Sequence, residues 1–140
     1  MEAAACAVGR LGADGPWLGF APSLDDGYDL VVGGGAAGHR APATADDMLC
    51  LAVAYFEEVL VAPPEELAAT HADIGALVRH VAAREAEAAR AAALGDAVDA
   101  IDDGLAGDAV IAALSRCLPS ETDPLERLAR RASEVMSPRS

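Results

Sequence analysis

From Thr44 to Gly95 the apolar residues recur at three- and four-residue intervals: first Met48, Leu49, Ala52, Tyr55, Phe56, Val59 and Leu60, then Leu67, Ile74, Leu77, Val78 and Val81. Such spacing places each set on one helix face, so the stretch predicts two helices folded back on each other at Pro63-Pro64 with their stripes against one core. Thr44 precedes Asp47 by three residues, a capping signal that starts the first helix at Thr44 or Ala45. Pro64 suits a first helical position, and Glu65 and Glu66 favour the positive end of the second helix. The second helix is expected to run to Gly95. Its tail from Ala82 to Ala93 has almost no large apolar side chain and reads as a solvated or partner-facing extension.

Before this hairpin the period changes. Residues 3 to 34 are rich in glycine and turn dipeptides, and their short aromatic and β-branched runs predict strands at Ala5 to Leu11, Trp17 to Ala21 and Tyr28 to Val32. Alternation is clearest in the last, where Tyr28, Leu30 and Val32 point one way and Asp29 and Val31 the other. Three short strands need a cover on one face, and Tyr55 and Phe56 are the expected cover. Gly33 to Pro42 reads as a flexible connection into the helix.

After Gly95, taken as a helix stop, Val98, Ile101 and Leu105 predict a short helix ended by Gly104 and Gly107. Asp108 is expected to cap another, with Val110, Ile111, Leu114 and Leu118 as its stripe and Pro119 as its end. Asp123-Pro124-Leu125-Glu126 is a further start signal, and the last helix sets Leu125, Leu128 and Val135 against Arg127, Arg130 and Arg131. The fold expected is α+β: a short antiparallel β-meander at the N-terminus, then a helical hairpin and two to three shorter helices. Residues 1–140 are read as one domain, strand-rich over 3–34 and helical over 44–136, since a chain of this size buries roughly two thirds of its unfolded surface.

Composition sharpens this picture. The 53% hydrophobic fraction includes 34 alanines, which supply helix propensity more than hydrophobic mass, so the core should rest on Leu, Val and Ile. A formal charge of −13, with ten arginines and no lysine, argues against nucleic-acid and anionic-membrane partners, which need a basic patch. The Ala, Gly and Arg bias suggests a GC-rich bacterial source. Cys6, Cys50 and Cys117 form no CxxC pair and read as thiols of a reducing compartment. No apolar run reaches the eighteen residues of a membrane span, and no positive n-region opens the chain, so a cytoplasmic location is expected.

Candidate chemistry is sparse. Asp96, Asp99, Asp102, Asp103 and Asp108 form the densest carboxylate cluster, and Asp99 with Asp102 or Asp103 could hold Mg²⁺ from one helix face. As a calcium loop the stretch fails, because Ile101 falls on a ligand position and Val110 on the twelfth. Asp96 and Asp108 are therefore read as caps and the rest as solvated, and no metal is expected. His39, His71 and His80 lie at no metal-ligand spacing, and Ser115 and Ser120 have neither a GxSxG elbow nor a base nearby.

Tyr28-Asp-Leu-Val-Val-Gly-Gly-Gly-Ala-Ala-Gly38 contains GxGxxG as Gly33, Gly35 and Gly38. It resembles the opening of flavin- and nicotinamide-dependent oxidoreductases, which implies a glycine turn between strand and helix holding the pyrophosphate of FAD or NAD. Pro42 stands where the phosphate-facing helix should already be under way, and Glu57, at the spacing of the ribose acid, falls inside the amphipathic helix. A glycine-rich linker is thus the reading adopted. Cys6-Ala7, Trp17 to Phe20 and Gly27 to Gly34 before a helix also look like the half of a sirohaem and iron–sulfur nitrite or sulfite reductase that follows its cluster cysteines. That likeness implies a related βα scaffold; four paired thiolates would be needed for a cluster, and Cys6 alone stands in range.

With no catalytic constellation, the function expected is that of a non-enzymatic, acidic, cytoplasmic protein that binds a protein partner, itself basic, as an adaptor, assembly factor or immunity-type inhibitor. The alternative is a dinucleotide-binding or degenerate sirohaem-reductase-like redox domain using Gly33 to Gly38. Self-association into a homodimer through the second helix is also expected.

Overall fold

A computed structural model describes residues 6–10, 16–22, 27–33, 39–57, 60–61, 63, 65, 68–104, 107–118 and 123–136. Four strands, β1 (Cys6–Arg10), β2 (Trp17–Pro22), β3 (Tyr28–Val32) and β4 (His39–Pro42), form one antiparallel sheet in the order β1-β2-β3-β4. Five helices follow: α1 (Ala45–Glu57), α2 (His71–Arg84), α3 (Ala88–Asp102), α4 (Gly107–Ser115) and α5 (Pro124–Met136). The architecture is α+β with an N-terminal meander, as the periodicity implies.

The meander has one strand more than the sequence suggests, because the second half of the Gly33 to Pro42 connection pairs as β4, with Val32 opposite His39 and Leu30 opposite Ala41. Pro42 is tolerated because β4 is an edge, where a missing N–H breaks no ladder. Leu18, Phe20, Leu30 and Val32 fall opposite one another across β2 and β3, and all four are buried on the inner face. At the other edge β1 is closed by the segment between α1 and α2. Arg10 and Val61 exchange two backbone hydrogen bonds of 3.1 and 3.0 Å, and the Ala69 N–H donates to Ala7 O at 2.9 Å. That closure hides an edge which would otherwise template aggregation. It also brings Leu60 so near that a Cβ on Gly9 would lie 2.5 Å from Leu60 Cβ, which is why the bulge of β1 carries glycine.

All eight residues of α1 from Asp47 to Ala54 are buried. A helix apolar all round is a central one, and α2, α4, α5 and β1 surround this one. α1 and α2 pack on each other as the expected pair, and α1 is in addition a hub that α4, α5 and β1 also meet. The second helix also starts and stops elsewhere. It begins at His71, behind Thr70, whose hydroxyl accepts from the Asp73 N–H at 3.2 Å while the Asp73 carboxylate accepts from the Thr70 N–H at 2.9 Å. Ala68 and Ala69, expected inside that helix, lie instead on the β1 edge. It ends at Arg84, since Glu85 turns extended.

No glycine or proline marks that break. Glu85 holds it, accepting from the Glu87 N–H at 3.1 Å and pairing with Arg90 at 3.2 Å, so its carboxylate bridges the break to the first turn of the helix that follows. Gly95 is therefore an interior residue of α3; the stretch from Ala82 to Ala93 is largely exposed, as expected, with Ala93 alone of it buried, and Leu94 just beyond joins the core as α3 packs on α2. The one long helix through which a homodimer was expected is two helices, α2 and α3. The stop comes at Gly104, whose φ of 68° is the left-handed C′ conformation.

The core is aliphatic. Leu18, Leu30, Leu49, Leu51, Ile74, Leu77, Leu94, Leu114 and Leu128 are its largest fully buried side chains, and of the rings only Phe20 joins the buried set. α1 meets β1 and α5 meets β3 and β4, while Tyr55 and Phe56, half-buried against the core, lie edge-on to His71.

Candidate functional site

The glycine run divides at the limit of the described residues. Gly33, with φ 109°, ends β3 and donates its N–H to Trp17 O at 2.9 Å. Gly35 and Gly38 lie outside the described residues, as does Ser120. The run joins two antiparallel neighbours, β3 and β4, so the strand-turn-helix of a pyrophosphate site is not the local topology. Cys6 is in β1, while Cys50 and Cys117 are buried free thiols on α1 and after α4. Burial pushes the Cys50 thiol up to about 12, opposed by the nearby Arg127 charge, and burial raises Cys117 as well. Both are inert packing groups, since the thiolate is the reactive form.

The histidines are kept apart. His39 is exposed on β4. His71 lies at the start of α2, with its Nδ1 2.9 Å from the Tyr55 hydroxyl and its ring edge-on to Tyr55 and Phe56. His80 faces Tyr28, which in turn meets Phe20 edge-on. Ser115 ends α4, exposed. Among the described residues no group of three His, Cys, Asp or Glu side chains is placed to hold a metal ion.

The expected capping roles of Asp96 and Asp108 are not the observed ones. Asp96 lies in the middle of α3 and pairs with Arg116 at 3.2 Å, and Asp108 sits in the first turn of a helix that begins at Gly107. Asp102 pairs with Arg79 of α2. Asp99, Asp103 and Asp108 are exposed at the corner between α3 and α4 with no ion-pair partner among the described residues. Asp99, Asp102 and Asp103 crowd the C-terminal end of α3, where the helix dipole disfavours negative charge.

Asp47 gives the densest polar constellation, and sequence reasoning credits it only with a cap. The Asp47 N–H donates to Thr44 Oγ1 at 3.1 Å, and Asp47 Oδ2 accepts from the Thr44 N–H at 3.0 Å, so the expected capping box is present. The same carboxylate is fully buried and takes two guanidiniums from α5: Arg131 Nε at 3.0 Å on Oδ2 and Arg127 Nε at 3.5 Å from Oδ1. Arg131 also donates to Pro42 O at 3.2 Å and Arg127 to Thr44 Oγ1 at 3.4 Å. Hydrogen bonding to Glu134, and then to Asp47, holds the Arg131 proton more tightly than usual. The signal available was the four-residue spacing of Arg127 and Arg131 on a helix whose apolar face is narrow. Their partner, Asp47, lies far earlier in the chain and carries no local mark of the pairing.

Most of the other cations are also engaged by carboxylates. Arg40 pairs with Asp29, Arg90 with Asp46 and Glu85, and Arg130 with Glu126, in addition to the pairs already described. Arg10 lies 4.7 Å over the Trp17 ring. Among the described residues no helix is long and apolar enough to cross a membrane. No protein-family model, curated protein or solved structure gives a significant match to this chain.

Proposed function

We propose that the chain is a non-enzymatic binding protein of the bacterial cytoplasm whose negative surface takes a basic protein partner, in an adaptor, assembly or immunity-type role. The observation that carries this reading is how the charge is disposed. Arginines at seven positions are consumed by carboxylates of the same chain, whereas Asp99, Asp103 and Asp108 are left exposed at one corner. Local rules of stability favour cations at the end of α3, where Asp99 and Asp103 stand instead without an arginine, beside Asp108 in the first turn of α4. Violations of that kind concentrate where function overrides stability. Complementary charge raises association rates and selects partners, while two copies of a −13 chain would bring like charges together, which favours a basic partner over a homodimer. A flavin or nicotinamide at Gly33 to Gly38 draws less support, since no helix N-terminus follows those glycines.

The test is capture of partners from cells of origin on tagged protein at low salt, with Asp99→Asn/Asp103→Asn/Asp108→Asn as the comparison. A basic protein retained by the wild type, released as salt shortens the Debye length from about 10 to 3 Å and weakened in the variant, is the expected result. Retention indifferent to both salt and the three substitutions contradicts the reading.

A further inference from the structure

α5 is attached differently from the other helices. Its fully buried anchors are Leu128 and the small Ala132, with Leu125 and Val135 half-buried. By contrast α2 sinks Ile74, Leu77, Val78 and Val81. The hydrogen bonds and ion pairs that join α5 to the rest of the molecule run through Arg127 and Arg131, and they end within six residues, on Pro42 O, Thr44 Oγ1 and Asp47. The fit at Arg127 is loose, for Asp47 Oδ1 and Arg127 Nε are both buried without a hydrogen bond.

Detaching such a helix returns three charged groups to water, which recovers their lost solvation; detaching α2 or α4 exposes mainly hydrocarbon with no such return. We propose that α5 is a releasable strap, which leaves the α1–β3–β4 surface as a unit while the rest of the core stays folded, with Asp47 as the latch shared by both arginines. The strap thereby governs access to the single buried carboxylate of the described chain and to the first half of α1.

Two cysteines report on it. Cys50 lies one turn beyond Asp47 on α1, and Arg127 and Asp123 of the α5 start are among the charges it feels. Cys117 is buried elsewhere, its Sγ 3.5 Å from Ala113 O and its charged neighbours Arg90, Arg116, Glu85 and Asp96. In full-length protein carrying Cys6→Ser, maleimide labelling of each thiol is followed by mass spectrometry and normalised to its rate in the denatured chain. The expected result is Cys50 labelling about tenfold or more faster than Cys117, with a weaker urea dependence, as sub-global opening requires. Asp47→Asn weakens the closed state relative to both the strap-open and the unfolded chain, so it should raise the Cys50 rate about thirtyfold or more while the urea dependence of Cys50 stays weaker than that of Cys117. Equal normalised rates with one urea dependence in the wild-type background overturn the strap, whether or not the Asp47 variant folds. A variant that leaves the Cys50 rate unchanged, or whose Cys50 labelling takes on the urea dependence of Cys117, overturns the latch.

Discussion

Replacing Asp47 by Asn keeps the shape of the side chain and an oxygen for the Thr44 N–H, but removes the charge that Arg127 and Arg131 share. Breaking a buried pair by deleting one partner costs about 3–5 kcal/mol, because the other charge stays desolvated. Here the stranded guanidiniums are 33% and 21% exposed, so water relieves part of the penalty and about 2–4 kcal/mol is expected. For a chain of this size each kcal/mol moves the midpoint by roughly 2–4 °C, which gives a fall of roughly 4–16 °C. Urea titration followed by circular dichroism measures the loss directly. Adding Arg127→Met and Arg131→Met to Asp47→Asn removes the stranded charges while keeping their stems, and should recover at least half of it. A loss below about 0.5 kcal/mol, or no recovery in the triple variant, would refute the view that α5 is held through this carboxylate.

Three further outcomes follow from local geometry. Gly95→Ala should stabilise the protein by about 1 kcal/mol, because Gly95 is inside α3 with nothing within 4 Å of its Cβ position; were it a left-handed stop, the same change would destabilise. Gly9→Ala should cost about 2 kcal/mol or more by thermal denaturation, since the new Cβ would lie 2.5 Å from Leu60 Cβ and 2.8 Å from Val61 O. Cys50, raised by burial from 9.0 to about 12, binds its proton more tightly in the folded chain, so its contribution is full below pH 9 and is lost as pH rises from there towards 12. The slope is about 1.4 kcal/mol per pH unit, and Cys50→Ala should remove that part of the alkaline loss in urea titrations at pH 8 and pH 10.

What the sequence makes legible is what short-range physics decides. β3 stands where the alternation of Tyr28, Leu30 and Val32 puts it, and α5 begins at Pro124 behind Asp123, whose Oδ1 accepts from the Leu125 N–H at 3.1 Å. The start of α1 was equally plain in Thr44 and Asp47. An identical box at Thr70 and Asp73 competes in the sequence with Pro64, which offers an attractive first position, yet Ala68 and Ala69 pair with Ala7 of β1, a contact far away along the chain. Glu85 breaks α2 from α3 through its own carboxylate, without the glycine or proline that a scan looks for. The Asp47 latch shows the same limit in the polar groups. A capping aspartate looks alike whether it is half-buried, as at Asp73, or sealed under a later helix, as at Asp47, and only the path of α5 distinguishes the two.

Native mass spectrometry of the protein isolated from its own cells, with an absorbance spectrum of the same sample, bears most directly on its role. A colourless protein carrying a second, basic polypeptide is the predicted result. A lone chain with a visible-absorbing adduct of several hundred daltons would contradict it and return the role to Gly33 to Gly38.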